Sequence, residues 1–185
     1  KVDFDKVIES LKLSEESIIS RNFFFSQFVK NGFPNKRVED WKFSDLNQII
    51  SSNIKNLRFH TDVELKEFDE TIFIDKFAHN KIIFLNGVIS KVDFSFEDDS
   101  KVLIARDLNQ IESSKEVNPL VSLNDALIAS YIEVTVKENY SLNKPLIIYN
   151  ITTKELKSTA INLKMGIVLE KNSSLKLINL FDDNS

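Results

Sequence analysis

The hydrophobic pattern divides the chain into a helical first part and a strand-rich remainder. Phe4, Val7, Ile8 and Leu11 recur at helical spacing, which predicts a short helix over Asp3 to Lys12. Ser14 is a good N-cap, and Glu15 and Glu16 behind it carry charges that suit a helix N-terminus. The helix it opens should run to about Asn31, with Ile18, Phe25, Phe28 and Val29 on one stripe and Phe24 beside it. Gly32 supplies the left-handed position that often ends a helix, and Pro34 blocks continuation. A third helix is expected from Ser44 to about Ile54, with Leu46, Ile49 and Ile50 facing inward.

Beyond Leu57 the apolar residues come in short β-branched and aromatic runs. Thr71-Ile72-Phe73-Ile74 is one, and Lys81-Ile82-Ile83-Phe84-Leu85 another, followed by Val88-Ile89. Asn86-Gly87 between the last two predicts a hairpin, because both central residues tolerate positive φ. Lys101 to Ala105 reads as a strand, Asn118-Pro119 as a turn and Leu120 to Ala129 as a short helix.

From Tyr131 the pattern is all β. Ile132 to Val136 alternates, Asn143-Lys144-Pro145 turns the chain, and Leu146 to Tyr149 resumes. Thr159 to Leu163, Ile167 to Leu169 and Leu175 to Leu180 follow. Short, evenly spaced strands suit a sandwich, a barrel or a β-solenoid. Glu170-Lys171-Asn172-Ser173-Ser174-Leu175 has the form of a solenoid corner, although no strict repeat is visible. The chain thus reads as three parts: 1–55 helical, 56–130 a mixed α/β connecting region with the hairpin at 86–87, and 131–185 strand-rich. No Gly/Ser-rich linker separates them, so they are expected to pack together.

Composition narrows the function classes. The chain of 185 residues has a formal net charge of −4, with Lys and Arg scattered among Asp and Glu. A nucleic-acid groove would need a concentrated basic face. There is no cysteine, which excludes a disulfide framework, a thiolate metal site and a cysteine nucleophile within this sequence and suits a reducing compartment. No apolar run reaches the roughly 20 residues that cross a bilayer. The first residue is Lys1 rather than Met, no signal-peptide pattern opens the chain, and Phe181 to Ser185 follow a strand-like run without a closing helix. A fragment that stops inside a larger fold is the expectation.

Candidate chemistry is sparse. His60 and His79, the two histidines, lie outside any metal-ligand spacing and read as surface or packed side chains. Asp98-Asp99 and Asp182-Asp183 lack the spacing of a calcium loop and read as solvated turns. Glu39 and Asp40 beside Trp41 could form an acid pair against an apolar wall. Pairing with Lys36, Arg37 or Lys42 while Trp41 anchors the joint is the stronger reading, because no other catalytic group is close in sequence. Three glycines cannot build a phosphate loop of the usual kinds, and no Ser lies in a nucleophile elbow. Phe23-Phe24-Phe25 reads as core plus one exposed ring that could meet another part of a larger protein. No catalytic, cofactor-binding or metal-binding residue is assigned.

One stretch has an uncommon order of residue types: Gly32-x-Pro34-x-Lys36-x-x-Glu39-Asp40-Trp41-Lys42-Phe43-Ser44-x-Leu46. It resembles the tryptophan-bearing motif of the SufD family, subunits of the SufBCD iron–sulfur cluster assembly complex. Weaker matches follow in the same order: Phe84-Leu85-Asn86-Gly87, Leu123-Asn124-Asp125-Ala126 ahead of Ile132 to Val134, Lys144-Pro145-Leu146, and Ile167 to Leu175 as a rung with its corner. The likeness runs from about residue 20 to residue 180. The paralogous SufB subunits share the β-helix, and the Trp41 motif favours SufD.

The resemblance implies an α+β fold in which an N-terminal helical region leads into the first rungs of a right-handed parallel β-helix, beginning near residue 131. It implies a cytoplasmic, non-catalytic scaffold with no cofactor of its own, in a complex that handles an iron–sulfur cluster and uses ATP through SufC. Partners SufB and SufC would be met mostly downstream of Ser185, and the open β-helix end could support self-association. Gly32, Pro34 and Trp41 are motif positions without an assigned role. The rival readings are an enzyme on a β-solenoid, which would need a hexapeptide repeat, a catalytic His or aligned acids, and a generic β-solenoid or α+β interaction domain.

Overall fold

The computed structural model describes residues 2–36, 41–54, 57–59, 73–109, 118–154, 156 and 158–183. They form N-terminal helices followed by two small mixed sheets. The chain divides into two compact units, one of Lys1–Thr61, Leu108–Ala129 and Lys157–Asn162, the other of Asp62–Asp107, Ser130–Leu156 and Leu163–Ser185.

In the first unit, α1 spans Val2–Ser10 and α2 spans Glu15–Asn31. Ser14 caps α2 as its side chain predicts, its Oγ accepting from the Ser17 N–H at 3.2 Å. The helix stops at Gly32, whose N–H donates to the Phe28 carbonyl at 2.7 Å. Gly32 has φ 68° and ψ −171°. That is positive φ with an extended ψ, a region open to glycine alone, rather than the left-handed helical one that the sequence suggested. Helix α3 is short, Leu46–Ile49, and runs into a π-helical turn over Ile50–Ile54. Its cap is Asp45, which accepts from the Gln48 N–H at 3.0 Å, and Ile49 lies outward instead of inward. Helix α4, Pro119–Leu127, opens on Asn118, whose Oδ1 accepts from the Leu120 N–H at 2.9 Å.

Phe4 and Val7 of α1 bury against Leu123, Ala126 and Leu127 of α4, with Phe24, Phe25, Phe28 and Phe33 around them. Phe25 stacks on Phe4 with ring centroids 4.2 Å apart. Val29, expected on the buried stripe, is exposed, and Phe23 is the outward ring of its trio. The buried position that the stripe missed belongs to Arg21. Its Nη1 donates to the carbonyls of Ala126 at 3.3 Å and Ile128 at 2.8 Å. These are the carbonyls a helix end leaves without internal partners, at the negative pole of α4. Burial pulls the Arg21 guanidinium down to about 10, with Asp125 opposing, so the charge persists at neutral pH.

In the second unit the strands are β1 (Asn80–Leu85), β2 (Val88–Asp93), β3 (Val102–Ala105), β4 (Ser130–Val136), β5 (Leu146–Thr152), β6 (Leu163–Leu169) and β7 (Leu177–Asp183). One sheet has the order β2-β1-β5-β7, the other β3-β4-β6. Asn86 and Gly87 make the expected β1–β2 hairpin with φ of 52° and 83°. The β1–β2 and β3–β4 pairs are antiparallel; β1–β5, β5–β7 and β4–β6 are parallel. Ile82, Phe84, Leu146 and Ile148 of the first sheet and Val102, Ile132 and Val134 of the second share one buried cluster.

Two expected strands are not found among the described residues. Thr71 and Ile72 lie outside the described residues. Phe73 and Ile74 are not in a strand; the Ile74 N–H donates to the Tyr149 hydroxyl at 3.1 Å and the Phe73 ring meets Tyr149 edge-on. Thr159 bridges to Arg58, whose N–H donates to the Ser158 carbonyl and whose carbonyl accepts from the Ala160 N–H, before β6 begins at Leu163. Two small mixed sheets stand where the sequence led to the first rungs of a right-handed parallel β-helix, and no β-helix is detected among the described residues.

Gly32→Ala should cost about 1–3 kcal/mol, because the strain at this φ and ψ falls on any side chain. An added Cβ would meet nothing within 4 Å, so no clash contributes. Thermal melts should show Tm falling by roughly 2–4 °C per kcal/mol for a chain of this size; an unchanged Tm would mean that the helix end relaxes freely.

Candidate functional site

Of the groups singled out in the sequence, His79 and Asp98 enter local hydrogen-bonded structure. His79 is buried, and its Nδ1 lies 2.9 Å from the Phe77 carbonyl. A carbonyl only accepts, so Nδ1 carries the proton and Nε2 accepts from the Tyr149 hydroxyl at 2.9 Å. The chain of bonds ends at the Ile74 N–H, which closes the Tyr149 oxygen. Asp98 accepts from the Ser100 hydroxyl at 2.7 Å and from its N–H at 2.8 Å; these bonds hold its carboxyl below the ordinary range and bind the turn together. Glu39, Asp40 and His60 lie outside the described residues. Trp41 is half-buried, and its carbonyl accepts from the Ser44 N–H at 2.8 Å, while Lys42 lies over the exposed Phe43 ring. Among the described residues no group of three or more His, Cys, Asp or Glu is placed to hold a metal ion, and no helix is long and apolar enough to cross a membrane.

The organised polar structure is instead a stacked corner in the second unit. Strand β4 pairs with β6 in register from Ser130↔Leu163 to Val136↔Leu169, and pairing continues past the strands. The Glu170 N–H donates to the Val136 carbonyl, Asn139 to Lys171, Ser174 to Tyr140, Leu142 to Ser174 and Leu146 to Lys176, all between 2.8 and 3.1 Å. Side chains repeat the register. Lys137 Nζ donates to Glu170 Oε1 at 2.7 Å, Asn172 Nδ2 to Asn139 Oδ1 at 3.0 Å, and Ser174 Oγ to Ser141 Oγ at 2.7 Å, each across 33 residues. Asn139 and Asn172 both turn the chain at positive φ, 58° and 59°, a conformation that asparagine tolerates well.

The signal for this corner was present in the sequence. Lys137-Glu138-Asn139-x-Ser141-Leu142 and Glu170-Lys171-Asn172-x-Ser174-Leu175 are one motif with its two charges exchanged. The exchange, and flanking strands that share only apolar alternation, hide it from a search for strict repeats.

A second carboxylate fastens the first corner from outside. Glu97 accepts from Asn80 Nδ2 at 2.7 Å, the Tyr140 hydroxyl at 2.8 Å, and the N–H groups of Asn143 and Lys144 at 2.9 and 3.0 Å. Burial raises its pKa, and the four hydrogen bonds outweigh that, leaving the carboxyl below its ordinary range.

The second corner and its strands lack such cover. Among the described residues no strand pairs with the far side of β6 or β7. Val136 and Leu146 are 0% exposed, whereas their register partners Leu169 and Leu177 are 49% and 46% exposed, and Phe181 reaches 79%. Apolar side chains that continue an inward column are therefore open to water on one side. This edge, framed by Glu170, Lys171, Asn172 and Ser174, is the candidate functional site: two strands that no further described strand joins, an apolar strip and a polar corner.

A group with a depressed folded pKa stabilises the fold above its unfolded pKa, about 4.3 for Glu, and the contribution is lost as pH falls through the folded value. Glu97 should therefore supply stability at pH 7 that disappears in acid. Glu97→Gln should lower stability at pH 7 by about 1–3 kcal/mol and flatten the decline below about pH 4.5, measured by urea denaturation across pH. A variant as acid-sensitive as the parent would remove Glu97 as the fastening group.

No protein-family model matches the chain, and no curated protein matches it significantly.

Proposed function

We propose that this chain is a non-catalytic scaffold, the N-terminal part of a SufD-type subunit of the SufBCD iron–sulfur cluster assembly machinery. The observation that carries the reading is the parallel stacking of β4–corner–β5 under β6–corner–β7. From β4 to β7 successive strands alternate between two sheets, with β4 parallel to β6 and β5 parallel to β7. This is how the first coils of a β-helix are laid down, and a right-handed turn follows from the near-universal hand of parallel crossovers. The helical region with the Gly32 to Leu46 motif precedes it, the order that the SufD resemblance implies.

In this role the two-sheet body supplies a rigid platform and does no chemistry of its own. Antiparallel β2 and β3 close one end of the stack, and the β6–β7 end is left to take further strands. SufB and SufC would be engaged mostly through sequence downstream of Ser185, and cluster ligands and ATP would be supplied there and by the partners. The reading also fits a cytoplasmic location, since nothing in the sequence depends on disulfides.

The test is a pull-down of the full-length parent protein with SufB and SufC. Both should be retained by the parent and lost after truncation at Ser185, with circular dichroism showing the truncated chain folded. Failure of the parent to retain either partner would contradict the assignment. Size-exclusion chromatography over a concentration series checks the open edge separately. Self-association should grow with concentration, and a strictly monomeric chain at millimolar concentration would count against it.

A further inference from the structure

We infer that the first unit holds a binding site for a small zwitterion of the free α-amino acid class, in the cavity that Arg21 of α2 and Asp125 of α4 line. Every residue of this site lies in the helical unit, apart from the strands on which the scaffold reading rests.

Arg21 carries an incomplete set of hydrogen bonds. The side chain is 3% exposed, and the carbonyls of Ala126 and Ile128 occupy its Nη1. Its Nη2 is buried and has no hydrogen-bond partner among the described residues. A buried charged donor left unmet is costly, so this position calls for an acceptor oxygen from outside the described chain.

The cavity has room for one. Its volume is about 150 Å³. A void of that volume holds a molecule of about six heavy atoms, the size of benzene. An apolar ring does not suit this one, because the lining is mixed. Phe24 and Leu108 give it an apolar side, whereas Glu16 and Asp125 bring two carboxylates to the same space. Asp125 is itself buried and acts on the Arg21 charge.

That arrangement of charge selects the ligand. A plain anion would satisfy Nη2 and face both carboxylates. A plain cation would suit the carboxylates and leave Nη2 unmet. A molecule with a carboxylate and an ammonium on one carbon answers both. Its carboxylate accepts a charge-assisted bond from Nη2, and its ammonium donates to Glu16 and Asp125. A carboxylate can accept about four hydrogen bonds, so bonds that these two already make leave capacity for it. Alanine is of the size required, with its methyl group for the apolar side.

The walls are held without a ligand. The Ser14 N–H donates to Asn109 Oδ1 at 2.8 Å, which ties the Leu108–Asn109 wall to the start of α2. Arg21 Nη1 fixes the end of α4 to the same helix. A site formed in advance loses little affinity to ordering.

The test is a titration of alanine into the ¹⁵N-labelled whole chain, followed through the amide shifts of Ser17, Ser20 and Asn109. Alanine should give saturable shifts there, with half-saturation in the millimolar range or tighter. Propionate lacks the ammonium and ethylammonium lacks the carboxylate; each should bind at least about tenfold more weakly. Glu16→Gln, at an exposed position, should weaken alanine roughly two- to fivefold and leave propionate no weaker. Replacing Arg21 would also release the α4 carbonyls, so the cavity is blocked instead by Ser20→Leu, at an exposed helix position on its wall. That variant should lose the shifts with an unchanged far-ultraviolet spectrum. Equal affinity for alanine and propionate would overturn the zwitterion assignment. Absence of saturable shifts with alanine, or their survival in Ser20→Leu, would overturn the site itself.

Discussion

The in-register stacking of one strand–corner–strand segment on another is the constraint from which the rest of the second unit follows. β4 and β6 keep one offset through the corner, and β5 and β7 keep another, so side chains of the lower segment lie under those of the upper one along both pairs of strands. Val136 meets Leu169 and Leu146 meets Leu177, so one apolar column is built. A slip by one residue would turn that column outward. Apolar pairing alone tolerates such slips poorly resolved in energy, whereas Lys137–Glu170, Asn139–Asn172 and Ser141–Ser174 all break at once. The polar corner thus fixes the register, and the apolar column supplies the driving force.

The same constraint explains the unequal ends. Short antiparallel strands, β2 and β3, cover one end, and Glu97 clasps the adjoining corner with four hydrogen bonds. The other end repeats the backbone pattern without the clasp, and exposure rises there at the very positions that are buried one level below. The two ends of the second unit thus differ in cover, and among the described residues no group of three or more His, Cys, Asp or Glu is placed to hold a metal ion.

Much of the local structure was legible because it depends on single residues. Ser14 as a cap, Gly32 as a stop, Asn118 with Pro119 as a start and Asn86-Gly87 as a hairpin each act within a few positions. The misses depend on distant partners. Arg21 looks like a surface residue until the carbonyl end of α4 is brought to it from more than a hundred residues away. Val29 has the right spacing for the core and is exposed all the same. Thr159 has strand-like neighbours, but its segment pairs with Arg58 through Ser158 and Ala160. The stacked corner was half legible: one copy was recognised as a turn of solenoid type, while its charge-exchanged twin was not matched to it.

The most direct test is native-state hydrogen exchange of the corner amides. The N–H groups of Asn139, Leu142, Leu146, Glu170 and Ser174 bridge the two stacked segments through the turn. If the stack is one cooperative body, they should exchange with the same opening free energy as the inner strands β4 and β5. Rapid exchange of these five amides, with β4 and β5 still protected, would show the corners to be independent loops and would contradict the account.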